Sequence, residues 1–163
     1  MKRPTPPRRP RSRATGFTLF ELLVTLAILA LLATVTLPVA QVEVQRHKER
    51  ELRLALREIR SAIDAYKLAY DQGRIAHSVG ASGYPPTLEI LVEGVEDAHD
   101  PKKQKIYFLR RIPDDPMSAS ASMTWVTRCY ASDADDPQPG DDVYDVHTRS
   151  QAVGLDGVSY RKW

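Results

Sequence analysis

The chain holds a single cysteine, Cys129, among its 163 residues. No disulfide can form within it, and one thiol neither demands nor excludes an oxidising compartment. Because Cys129 falls in the strand-like run MTWVTRCYA, it is expected to be a buried thiol. The histidines, His47, His77, His99 and His147, are scattered, with no HExxH pair to hold zinc. There is no phosphate-cradling glycine loop and no GxSxG nucleophile elbow. Ser78 and Ser82 lie in a glycine-rich loop with no evident base. Nothing in the sequence supports catalysis, so an enzyme is not expected.

Two further absences are local. Residues 1–16 contain no acid, and Leu22–Val42 contains no charge at all. The first stretch is instead basic and proline-rich, with Lys2, Arg3, Arg8, Arg9, Arg11 and Arg13 among Pro4, Pro6, Pro7 and Pro10. Removing those six positive charges from a net +2 leaves −4 on the rest, so the basic pI belongs to the leader. A nucleic-acid partner is therefore not expected. The uncharged stretch is 21 residues, about 31 Å of helix at 1.5 Å per residue, which matches the hydrocarbon thickness of a bilayer. The positive charge before it predicts a single span with the N-terminus in the cytoplasm and the chain beyond about Gln45 outside.

The details of this span depart from a plain anchor. Secretory signals place a small-residue cleavage site after the apolar core. Here the small-residue junction, Thr15-Gly16-Phe17, comes before it, and a lone Glu21 sits just inside the apolar run. The stretch GFTLFELLVTLAILALLATVTLP resembles the class III signal of type IV pilins and pseudopilins: Gly, an aromatic, Thr-Leu, then Glu at the fifth position after the cut. The resemblance implies that a prepilin peptidase removes residues 1–16 between Gly16 and Phe17 and N-methylates the Phe17 amine. It also implies that Glu21 pairs with the N-terminal amine of a neighbouring copy. A strongly polar side chain in the span costs roughly 2.5–3.5 kcal/mol on insertion scales, so on this reading Glu21 is costly alone and relieved by assembly. Snorkelling of Glu21 to the interface is the plainer alternative. Pro38, near the outer end, should kink or loosen the helix, with Thr34 and Thr36 offering hydroxyls to the freed backbone groups.

The helical pattern continues past the span. Leu52, Ala55, Leu56, Ile59, Ala62, Ile63, Tyr66, Ala69 and Tyr70 share one face, and charges from Arg46 to Arg60 fill the other, with i to i+4 pairs such as Glu49–Arg53. Gly73 is the expected stop. A mature helix from Phe17 to Gln72 would be 56 residues, roughly 84 Å long. The stripe is too short, and too poor in regular Leu/Ile, for a coiled-coil stalk, so it is expected to pack on a sheet. Beyond it, residues 77–86 read as a loop, TLEILVEGV (87–95) as a short helix capped by Thr87, and 123–131 and 142–148 as strands. QAVGL and VSYRKW bracket an Asp156-Gly157 turn as a closing hairpin. The expected fold is α+β: a long N-terminal helix packed on a small antiparallel sheet. The expected divisions are a leader at 1–16, a membrane half at 17–44, an amphipathic half at 45–72 and a globular domain at 73–163.

YPPTLEILV, IYFLRRIPDDP and a Trp-containing strand look like the major, G-type pseudopilin of the type II secretion system. DVYDVHTRSQAVGLDGVSYRKW looks like a short subgroup related to it. That resemblance implies a pilin-like roll in the bacterial inner membrane with its C-terminal domain in the periplasm. It also implies a homopolymeric filament for protein export. Partners would be the prepilin peptidase, minor pseudopilins, the inner-membrane secretion platform, and lipid before assembly. A type IV or competence pilus subunit is the alternative within the superfamily. An anchored binding module with an uncleaved leader is the alternative outside it. G-type pseudopilins bind calcium in a late acidic loop, which makes Asp133, Asp135, Asp136, Asp141 and Asp142 weak Ca2+ candidates, with Asp145 beyond. Their spacing is not that of an EF-hand, and a solvated loop is the plainer reading. The basic patch of PKKQK with Arg110 and Arg111, near Tyr107 and Phe108, reads as solvated surface or a subunit contact rather than a nucleic-acid site.

Overall fold

The computed structural model describes residues 16–78, 80–118 and 125–163, the side chains at 35–38 excepted. The described chain divides into two compact units, with the division between Val42 and Glu43. One helix, α1 (Leu19–Asp71), passes through both. Its start is fixed by Thr18, whose Oγ1 accepts the Glu21 backbone N–H at 3.2 Å while its carbonyl accepts Leu22 N–H. This is one half of a capping box, satisfying a backbone donor that the first turn cannot. The other end closes at Gly73 (φ +73°), where Gly73 N–H reaches the Tyr70 carbonyl and Arg74 N–H the Ala69 carbonyl, a Schellman pair.

In the first unit no described side chain of α1 is buried. Thr25 and Thr34 turn their hydroxyls back onto the Leu22 and Leu31 carbonyls, at 2.9 and 2.7 Å. Thr34 is thus engaged one turn back, not with groups freed by Pro38. The kink expected at Pro38, and the hydroxyl of Thr36, concern side chains outside the described residues.

In the second unit the apolar stripe of α1 forms the core as its spacing demands. Leu52, Ala55, Leu56, Ile59, Ala62, Ile63, Tyr66 and Ala69 are buried, and Tyr70 is half-buried at the edge. Against them pack Ile75, Leu88, Leu91, Leu109, Trp125, Val143, Val146 and Tyr160. Each fully buried Leu or Ile contributes roughly 1.5–3 kcal/mol relative to exposure. The expected α+β architecture is present, a long helix with small antiparallel ladders.

The strands are shorter than expected and form two ladders. β1 (Val95–Glu96) pairs antiparallel with β2 (Lys105–Ile106), and β3 (Val126–Arg128) with β4 (Asp145–His147), Thr127 facing Val146. Aspartates explain the brevity. Asp97, Asp100, Asp115, Asp133 and Asp156 each accept, through Oδ1, the backbone N–H two residues on. Such turns satisfy donors that a ladder would otherwise take.

Several local expectations need correction. The helix expected at 87–95 is α2 (Glu89–Glu93), and Val95 has passed into β1. Thr87 does not cap it: Leu88 holds the N-cap position without a side-chain bond. The closing hairpin is a single bridge, Val153 to Ser159, after which residues Tyr160–Lys162 wind into a 3₁₀ turn rather than a strand. Cys129 is half-buried, not buried, and its Sγ lies 2.9 Å from where a Cβ on Gly140 would stand.

Candidate assembly site and the elements that support it

The N-terminal stretch is built from large apolar residues whose side chains are exposed. Phe17 is 74% exposed and Phe20 75%, and the Leu, Ile and Val side chains from Leu19 to Leu32 are all exposed. Within α1 this stretch is long and apolar enough to cross a membrane, and none of its described side chains is buried. Monomeric soluble proteins rarely leave more than a few hundred Å² of contiguous apolar surface in water. A continuous 16-residue face of this kind requires lipid or other helices, and its length and composition fit a membrane anchor. Glu21 is exposed in the first turn of that face, where an acid also complements the helix dipole. Around Gly16 there is open space: a Cβ placed there meets nothing within 4 Å.

The second unit is secured to α1 by a polar clamp that sequence reading missed. Glu49 was expected to pair with Arg53 on the solvent face, but it is 5% exposed. Its Oε1 accepts the Tyr160 hydroxyl and the Leu155 backbone N–H, both at 2.8 Å. Gln45 Nε2 donates to the same Tyr160 oxygen at 2.8 Å, and burial pushes the Tyr160 phenol up from its ordinary value. Arg53 turns instead to Asp156 at 3.2 Å and lies over the Trp163 ring, 4.0 Å from its centroid. Arg60 donates to Asp145 Oδ1 at 2.7 Å and to the backbone oxygens of Val146 and Trp163. Helical spacing alone would have placed Gln45, Glu49, Arg53 and Arg60 together on one flank of α1, next to the apolar stripe. That was the available signal.

The acidic loop does not gather around a point. Asp133 Oδ1 is occupied by Asp135 N–H, Asp136 Oδ1 by the Gln138 side chain and Asp142 Oδ1 by Tyr130 N–H. Asp145 is turned to Arg60 and Arg128. Among the described residues no three His, Cys, Asp or Glu converge as metal ligands. A calcium ion needs six to eight oxygens on one centre, and this arrangement does not supply them.

Elsewhere the electrostatics are structural. His147 is buried, and its pKa is lowered first by burial and then by Arg161, with Arg128 and Arg60 adding to the effect against Asp145. The Arg74 guanidinium holds the Asp97 carboxyl below its usual range, aided by His99 N–H. Lys67, bonded to Asp71, has its pKa raised by that bond.

Residues 11–37 match the family described as the prokaryotic N-terminal methylation motif. That motif marks a type IV pilin-like precursor processed by prepilin peptidase, and it coincides with the junction, the capped first turn and Glu21 described above. No curated protein and no solved structure matches the chain.

Proposed function

We propose that this chain is a structural subunit of a periplasmic pseudopilus, most like the major pseudopilin of the type II secretion system. It inserts in the inner membrane as a precursor with its leader in the cytoplasm and residues beyond about 45 in the periplasm. Prepilin peptidase cuts between Gly16 and Phe17 and methylates the Phe17 amine. The mature helix then leaves lipid for a bundle of identical helices, with minor subunits and the inner-membrane platform as further partners. The filament helps folded proteins through the outer membrane.

The single observation that carries this reading is the methylation motif lying on a helix whose large apolar side chains are exposed. Lipid tails are as apolar as leucine, so burial alone does little to drive such helices together. Glu21 supplies what is missing: in lipid its charge is costly, and beside the Phe17 amine of a neighbour it is paired. The downstream stretches that resemble the secretion pseudopilin supply Leu88, Leu91, Leu109 and Trp125 to the core, which supports the same reading. Among the described residues no set of converging carboxylates supports a calcium ion.

Glu21→Ala tests the mechanism. It should insert and be cleaved normally, yet abolish filaments and protein export. Normal filament yield would refute the pairing. Long surface fibres with unimpaired export would assign the chain to a pilus instead.

A further inference from the structure

A half-open cleft of about 650 Å³ lies on the second unit, with Tyr66, Tyr70, Tyr84, Tyr130, Asp141 and Asp142 among its walls. Tyr84, Tyr130 and Tyr144 pack on one another with centroids 5.0–5.5 Å apart. Two rings of this cluster already carry a cation from their own chain. Lys67 sits 5.7 Å from the Tyr84 centroid and Arg128 4.8 Å from that of Tyr144. Tyr130 carries none among the described residues, although it is 60% exposed. Beside it Asp141 is exposed, with no ion pair or hydrogen bond among the described residues. An exposed aromatic ring next to an uncompensated carboxylate is suited to a lysine or arginine side chain.

We infer that this cleft receives a basic side chain of a second copy of this chain, from Lys102 in the β1–β2 turn or from Arg110 or Arg111 after β2, placed over Tyr130 and against Asp141. These basic residues are the complementary feature on the same molecule. Lys102, Arg110 and Arg111 are exposed and without a side-chain partner among the described residues, and Tyr107 beside them is 64% exposed. Lys103 and Lys105, by contrast, are engaged by Glu96 and the Glu93 carbonyl. An acidic-aromatic patch and a basic patch that are distinct on one subunit make a heterologous contact. Repetition of such a contact extends an open filament rather than closing a dimer. The inference rests on the assembly reading and adds to the helix bundle a contact between outer domains that sets which copy sits beside which.

The test is photo-crosslinking of the full-length chain in its native membrane, with benzoylphenylalanine in place of Tyr130 and electron microscopy of the same preparation. The expected result is a two-copy adduct whose second peptide falls within residues 100–111, reduced at least about fivefold by Arg110→Glu with Arg111→Glu. As a second arm, Asp141→Lys should lower filament yield roughly tenfold, and combining it with the double Arg reversal should restore most of the loss. Filaments that form while adducts map to lipid, to another protein or to a different segment overturn the contact and leave the assembly reading standing. So does an Asp141→Lys chain that assembles normally. Preparations giving neither filament nor adduct overturn both.

Discussion

Truncation of Glu49 is the most exacting test of how the outer unit is held to the long helix. The carboxylate is 5% exposed, and a single oxygen, Oε1, takes both the Tyr160 hydroxyl and the Leu155 N–H at 2.8 Å. Glu49→Ala removes two hydrogen bonds to a charged acceptor and strands two donors in a buried place. Tyr160, 2% exposed, would keep only the Gln45 donation, which leaves its own proton unplaced. Hydrogen bonds to charged groups contribute about 1.5–3 kcal/mol each, and stranded donors cost about 1–3. A loss of about 3–5 kcal/mol is therefore expected, a large share of the roughly 5–15 kcal/mol that holds a domain together. Glu49→Gln separates geometry from charge. The amide oxygen can accept both donors, so the loss should stay within about 1.5 kcal/mol. Tyr160→Phe should cost about 1.5–3 kcal/mol in the native background and clearly less in Glu49→Ala, since the two changes remove the same bond. Urea unfolding of the detergent-extracted protein, followed by tryptophan fluorescence, reads this directly. Trp163 packs edge-on against Tyr160 with centroids 4.9 Å apart, so it reports on the clamp. The midpoint of Glu49→Ala should fall by on the order of 2 M. A fall below about 0.5 M, or a Glu49→Gln variant as damaged as Glu49→Ala, would refute the reasoning.

Other outcomes follow from the same geometry. His147 has its pKa lowered from an ordinary value near 6.5, so the unfolded chain binds the proton more readily. Its contribution is present above that value and is lost as pH falls through and below it; His147→Gln should flatten the acid limb of a stability–pH profile. Gly94 has φ +76° and ψ 154°, a glycine-only region, and a Cβ there would meet the Ile106 carbonyl oxygen at 2.9 Å, so Gly94→Ala should destabilise by about 2–4 kcal/mol. Gly157, at φ +80° with open space around it, isolates the backbone effect, and Gly157→Ala should cost about 1–2 kcal/mol in the same unfolding assay.

The long helix was legible because two signals of different kind run end to end along it. A 21-residue uncharged stretch is followed by a stripe whose 3–4 spacing survives for five turns. The stop at Gly73 was legible for the same local reason, since only a residue free to take positive φ closes the Schellman pair cheaply. The cap at Thr18 has a local signal too, since Thr18-x-x-Glu21 is a capping-box pattern that overlaps the acid of the apolar run. Helical spacing shows the flank that Glu49 shares with Gln45, Arg53 and Arg60 but not its partner, because the burial of Glu49 depends on Tyr160, 111 residues away. Strands of two and three residues carry too little alternation to be bounded from sequence. The aspartates that shorten them look, as composition, like a cation site and serve, in place, as turn formers.

Intact-mass measurement of the protein extracted from its native membrane tests the central claim most directly. The account predicts a chain that has lost residues 1–16, begins at Phe17 and is ~14 Da heavier than that sequence, the mass of one methyl group. A mature protein that still begins at Met1, with its arginines in place, would leave Glu21 no freed amine to meet and would contradict the account.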